Sequence, residues 1–138
     1  MERYELLDHT ADLGIRAFGR TVEEAFANAA FALFDQLTDL DRVEPGLDLP
    51  LRLEGADRED LLVRWLGELL FQSEAHGYLF KEFSISHLDQ TSLVALARGE
   101  RYDPSRHLLK TEIKAVTYHQ VEVKENEGVF EASVIFDV

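Results

Sequence analysis

Two stretches of this chain space their apolar residues for a helix, and most apolar residues elsewhere are spaced for strands. The fold therefore has to combine two helices with extended chain. Thr21-Val22-Glu23-Glu24 opens the first stretch as a capping box: the Thr21 hydroxyl can accept from the Glu24 amide while the Glu24 carboxylate reaches back. Val22, Ala25, Phe26, Ala29, Leu33 and Leu37 then share one stripe, widened by Ala30 and Phe34, which predicts a helix running to Leu37. Asp57 caps the second stretch, with Glu59 and Asp60 favourable near the positive end of the macrodipole. Leu61, Leu62, Trp65, Leu66, Leu69 and Leu70 form its broad apolar stripe, and Gly77 is a helix stop.

The remaining segments read as strands. Residues 3–8 and 12–18 flank Asp8-His9-Thr10-Ala11-Asp12, and Leu13, Ile15 and Ala17 fall on one face. Residues 48–54 alternate polar and apolar, with Pro50 confining them to an edge or a strand start. Residues 78–87, 91–97, 112–123 and 129–136 are strand-like, and Asn126-Glu127-Gly128 marks the last turn. The expected class is α+β, a mostly antiparallel β-sheet with two α-helices packed on one face. No linker, repeat or Gly/Ser tract interrupts residues 1–138, so a single domain is expected.

Composition narrows the function. The chain has 138 residues and no cysteine, which excludes disulfides, thiolate metal sites and a cysteine nucleophile. No apolar run approaches the ~20 residues of a membrane helix, and Met1-Glu2-Arg3-Tyr4-Glu5 is no signal peptide. A soluble, cytoplasmic protein is expected. With 27 acidic against 14 basic residues, the net charge of −13 leaves no broad basic footprint for DNA or RNA. The stretch from Arg98 to Lys114 departs from that balance, with Arg98, Arg101, Arg106, Lys110 and Lys114 against Glu100, Asp103 and Glu112. It is either a surface hairpin with solvated charges or a local patch for docking an anion or a partner. An acidic protein can still serve an RNA pathway by binding the basic enzyme instead of the RNA.

Catalytic motifs are absent: no Gly-rich phosphate loop, no Gly-x-Ser-x-Gly elbow, no His-Glu-x-x-His. His9, His76, His87, His107 and His119 have no spacing typical of zinc. Two places remain. Asp8-His9-Thr10-Ala11-Asp12 gathers two carboxylates, an imidazole and a hydroxyl between strands, which is either turn chemistry or a site. At the other end, Asp137 directly follows the buried-strand sequence Val134-Ile135-Phe136 and precedes Val138. Oxygen donors so placed are either solvated or suited to a hard cation such as Ca²⁺ or Mg²⁺.

These same segments carry a family resemblance. Asp8-His9-Thr10-Ala11-Asp12, Gly14, Gly19, Glu24-Ala25-Phe26, Leu61-Leu62 with Trp65-Leu66, Lys114-Ala115-Val116-Thr117-Tyr118-His119 and Ile135-Phe136-Asp137-Val138 together resemble archease, end to end. The resemblance implies a non-enzymatic activator of an RtcB-type RNA ligase in tRNA splicing and RNA repair. It implies promotion of guanylylation of a ligase histidine and of multiple turnover, with tRNA met only through the ligase. A general chaperone role is also implied. It further implies a divalent-cation site, calcium first and magnesium or manganese as substitutes, at Asp12, Asp137 and the carbonyl of Val138, with Asp8 and His9 in support. Two other readings stay open: an autonomous metal-dependent hydrolase or phosphotransfer enzyme using Asp8, His9, Asp12 and Asp137, with His9 as general base, and a chaperone or interaction module without metal.

Overall fold

The computed structural model describes residues 1–8 and 11–138. The elements run β1 (Tyr4–Leu7), β2 (Leu13–Gly19), α1 (Val22–Leu37), a 3-10 turn (Leu40–Arg42), β3 (Leu47–Glu54), α2 (Arg58–His76), β4 (Tyr78–Leu88), β5 (Ser92–Arg101), β6 (Ala115–Val116), β7 (Glu122–Asn126) and β8 (Val129–Asp137). The fold is α+β, as the residue spacing predicts.

Both helices start and stop where their capping residues require. Thr21 Oγ1 accepts from the Glu24 amide at 3.1 Å, and Glu24 Oε1 reaches back to the Arg20 amide at 3.2 Å. Asp57 accepts from the Asp60 amide at 2.8 Å, and Asp60 returns the bond to the Ala56 amide at 2.8 Å. One orphan amide donor at each helix start, and the amide just before each cap, are thereby satisfied. Gly77 ends α2 at φ 72°, donating to the Ser73 carbonyl at 2.9 Å, a conformation that costs a side chain dearly and glycine little.

The strands divide into two antiparallel sheets. One has the order β1-β2-β8-β6, with β7 also on β8; the other is β3-β5-β4. Helix α1 packs against β2 and β8 of the first and β4 of the second. Its alanines explain this double contact: Ala25, Ala29, Ala30 and Ala32 are buried, so the backbone can approach both sheets. Phe34 meets Phe80 edge-on at 5.4 Å between ring centres, and Trp65 is fully buried with its indole N–H donating to the Phe26 carbonyl at 3.0 Å. The core is one continuous apolar cluster drawn from both helices and both sheets.

Gly99 shows how tightly β5 lies against β4. A Cβ there would come within 1.8 Å of the Leu79 carbonyl oxygen, just where the register shifts between Phe80 and Glu82.

Residues 112–123 pair less than their composition predicts. Only Ala115–Val116 and Glu122–Asn126 join the ladder. Between them the Thr117 hydroxyl and amide both donate to the Ile135 carbonyl, at 2.8 and 3.1 Å, and Gln120 turns the chain at φ 54°. With both donors on one β8 carbonyl, and the turn at Gln120 following, the segment leaves regular pairing after Val116. Among the described residues, no helix is long and apolar enough to cross a membrane.

Candidate functional site

The pairing of β2 with β8 brings the two suspect ends of the chain together. Leu13 opposes Phe136, with Gly14 opposite Ile135 and Ile15 opposite Val134. The pairing ends with Leu13 opposite Phe136, so Asp12 directly precedes β2 and Asp137 directly follows Phe136 at the same edge of the sheet. Asp12 is half-buried and Asp137 exposed. Phe136, between Ile135 and Asp137, is sunk in the core, so β8 is anchored up to its last residue but one.

On the other side of β8, Ala115 pairs with Asp137, and the Lys114 amide donates to the Asp137 carbonyl at 2.8 Å. That carbonyl is therefore already engaged, and the next one along the chain belongs to Val138. Asp8 is exposed immediately after β1. His9, with Thr10, lies outside the described residues. Ala11 sits at φ 71°, the left-handed region that side chains other than glycine rarely occupy. Such strain collects where a loop must aim particular groups.

Two carboxylates and a carbonyl are the donor chemistry of a hard cation, and in kind they fit calcium. Among the described residues there is no group of three or more His, Asp or Glu side chains that could hold a metal on its own. Calcium takes about 6–8 oxygens, so water or a partner's oxygen would complete this set.

The segment beside the strand end is clamped by α2. The Tyr118 hydroxyl donates to Asp60 Oδ1 at 2.6 Å, while Asp60 Oδ2 accepts from Arg64 Nε at 2.9 Å. The Tyr118 hydrogen bond, chiefly, holds the Asp60 carboxyl down to about 2, and that same bond raises the Tyr118 pKa. The Val123 amide donates to Glu59 Oε2 at 3.1 Å. The sequence assigns Glu59 and Asp60 to helix electrostatics alone. Their second roles depend on contacts of Asp60 with Tyr118 and of Glu59 with Val123, which no local pattern announces.

The basic stretch from Arg98 to Lys114 is largely consumed by local pairing. Arg98 meets Asp48 at 3.2 Å, and Arg101 donates to the His76 carbonyl at 2.8 Å while lying over the Tyr78 ring. Arg106 grips Glu100 with two bonds, at 2.7 and 2.9 Å. His107 is buried: the Asp103 amide donates to Nδ1 at 2.9 Å, which leaves the proton on Nε2 to face Glu100 at 3.0 Å. Arg106 first, then the Glu44 amide and His107, hold the Glu100 carboxyl down to about 2 against the desolvation that opposes them. Lys110 and Lys114 form no ion pair among the described residues.

Comparison with known proteins adds three findings. The model of the Archease protein family (MTH1598/TM1083) matches residues 4–138. The archease of Sulfolobus acidocaldarius is 38% identical over 139 residues, covering 100% of both chains, and that of Methanosarcina mazei is 41% identical over 141 residues, covering 99% of this chain and 97% of its own. The solution structure of Methanobacterium thermoautotrophicum protein 1598 superposes with a TM-score of 0.88 at 37% identity over 100% of both chains. The crystal structure of a Thermotoga maritima protein described as an archease and possible chaperone shares the fold, with a TM-score of 0.65 at 20% identity over 96% of this chain and 94% of its own.

Proposed function

Because this chain belongs to the archease family, we propose that it is a non-enzymatic activator of an RtcB-type RNA ligase, promoting guanylylation of a ligase histidine and so sustaining turnover in tRNA splicing or RNA repair. The observation that supports this reading is the β2–β8 pairing, whose last pair, Leu13 with Phe136, leaves Asp12 and Asp137 next along the two strands at the rim of the sheet. Two carboxylates on one rim suit the holding of a cation for a neighbouring reaction better than they suit nucleophilic attack.

Asp12, Asp137 and the Val138 carbonyl would hold a divalent cation, calcium first, which when bound supplies positive charge near a reacting phosphate. The protein's own part is positioning. The Lys114 amide fixes the Asp137 carbonyl, and the buried Phe136 keeps the strand end from fraying. Tyr118, held by Asp60, braces the adjoining segment. The family resemblance gives Asp8 and His9 a supporting part. The guanylylated histidine belongs to the ligase, and the activator itself turns over no nucleotide.

A time course of ligase guanylylation, with and without this protein, tests the reading. Parent protein accelerates the reaction, while Asp12→Ala and Asp137→Ala do not. Full acceleration by Asp137→Ala excludes the cation-centred mechanism; nucleotide hydrolysis by the protein alone excludes the non-enzymatic one.

A further inference from the structure

An open apolar groove of about 530 Å³ lies between the C-terminal half of α2 and the extended segment after β5. Leu37, Leu70, Leu79 and Ile113 form its wall, and Tyr102 and Leu109 stand at its mouth. Leu109 is 56% exposed and its neighbour Leu108 62% exposed. Apolar surface therefore continues beyond the cavity itself.

The segment is pinned in this arrangement. Thr38 Oγ1 donates to the Leu108 carbonyl at 2.6 Å, the Lys110 amide to the Leu37 carbonyl at 2.9 Å, and the Thr111 amide to the Gln36 carbonyl at 3.1 Å. These bonds fix the backbone with two large leucines facing water, against the hydrophobic effect. Large apolar side chains displayed in a patch at fixed positions mark an interaction surface.

We propose that this groove docks the RtcB-type ligase, receiving a large apolar side chain of that enzyme flanked by lysine or arginine; the proposal rests on the function argued above. Three observations favour that occupant. The apolar surface outside the cavity calls for a macromolecule, since a small molecule would leave Leu108 uncovered. Glu74 and Glu112 outnumber Lys110 among the groove's charged residues, in a chain of net charge −13, and an enzyme that binds RNA carries basic surface. The groove is also joined to the carboxylate rim. From Leu109 the segment runs to Lys114, whose amide holds Asp137, a reach of at most about 17 Å for extended chain. A ligase seated in the groove thus lies on the segment that leads directly to Asp137.

The test measures binding of purified, immobilised ligase to the parent, Leu109→Asp, Tyr102→Ala and Asp137→Ala proteins, with thermal melts run on each. Leu109→Asp and Tyr102→Ala are expected to melt like the parent, bind at least tenfold more weakly, and activate only at raised concentration. Asp137→Ala is expected to bind like the parent without activating. If the parent binds and both groove variants bind within twofold of it, the docking inference falls while the proposed function stands. If the parent does not bind the ligase at all, the functional reading falls and the docking inference with it. A parent that is dimeric by light scattering and made monomeric by Leu109→Asp assigns the groove to a second copy and overturns the proposal.

Discussion

At the scale of single residues, the placing of Asp12 and Asp137 at one rim works against stability. Like charges brought to the same rim repel even near a protein surface. Asp137 fills no cavity, and Ile135 and Phe136 secure the strand without it. Asp137→Ala is therefore expected to melt at the same temperature as the parent or slightly higher in chelator, and to lose any rise in melting temperature that calcium gives the parent. Calorimetry with and without calcium reads both. Glu100 makes the opposite case. Its carboxyl is held down to about 2 by Arg106, against an ordinary value of 4.5, so folding favours the ionised form. The stability it contributes is complete above pH 4.5 and is lost as pH falls toward 2. Glu100→Gln should cost about 1–2 kcal/mol at pH 7, and the difference from the parent should shrink in melts taken between pH 4.5 and 3. The polarity of Asp8–Asp12 and Asp137 was visible in the chain from the start. Their meeting at one rim was not, because strand partnership between its two ends leaves no local trace.

Helices were the most legible elements. Thr21, Asp57 and Gly77 bound them as their side chains and backbone freedom dictate, since capping is settled within four residues. Sheets were less so. Period two identifies strands without naming their neighbours, and nothing in β3, β4 and β5 announces that they form a sheet apart from β2 and β8. The stretch 112–123 misled for a related reason: Ile, Val, Thr and Tyr favour strands in general, while Thr117 spends its hydroxyl and amide on the Ile135 carbonyl. The β7–β8 turn offers a test of local chemistry. Glu127 and Gly128 both have positive φ, at 52° and 81°, as a type I′ hairpin turn requires. Asn at the first position adopts that conformation more readily than Glu. Glu127→Asn should stabilise the protein by about 0.5–1 kcal/mol, read as a higher denaturant midpoint with an unchanged slope.

At the scale of the whole molecule, charge decides which partners can be met directly. The Arg98–Lys114 stretch does not supply a basic face, because Arg98, Arg101 and Arg106 are engaged by Asp48, the His76 carbonyl and Glu100. It also presents three large apolar side chains to solvent, Tyr102, Leu108 and Leu109, beside Lys110 and Lys114. With a net charge of −13, the isolated protein is expected not to shift tRNA in a gel at physiological salt and micromolar concentration. A ternary shift should appear only with the ligase present. A submicromolar shift by the protein alone would mean that it reaches RNA without the proposed ligase.

The partnership of β2 with β8 also has a consequence in time. Hairpins β4–β5 and β7–β8 join neighbouring segments, and such hairpins close in about 1–10 μs. Residues 13–19, in contrast, must find residues 130–136 across nearly the whole chain. Loop closure over that separation is slow, and high contact order delays it further. In pulse-labelled hydrogen exchange, amides of β4 and β5 should gain protection before those of β2. Until that closure Asp12 and Asp137 exist as residues but not as a pair, so a cation finds nothing to bind along the way. With the proposed cation site, calcium should then slow unfolding and leave the refolding rate unchanged.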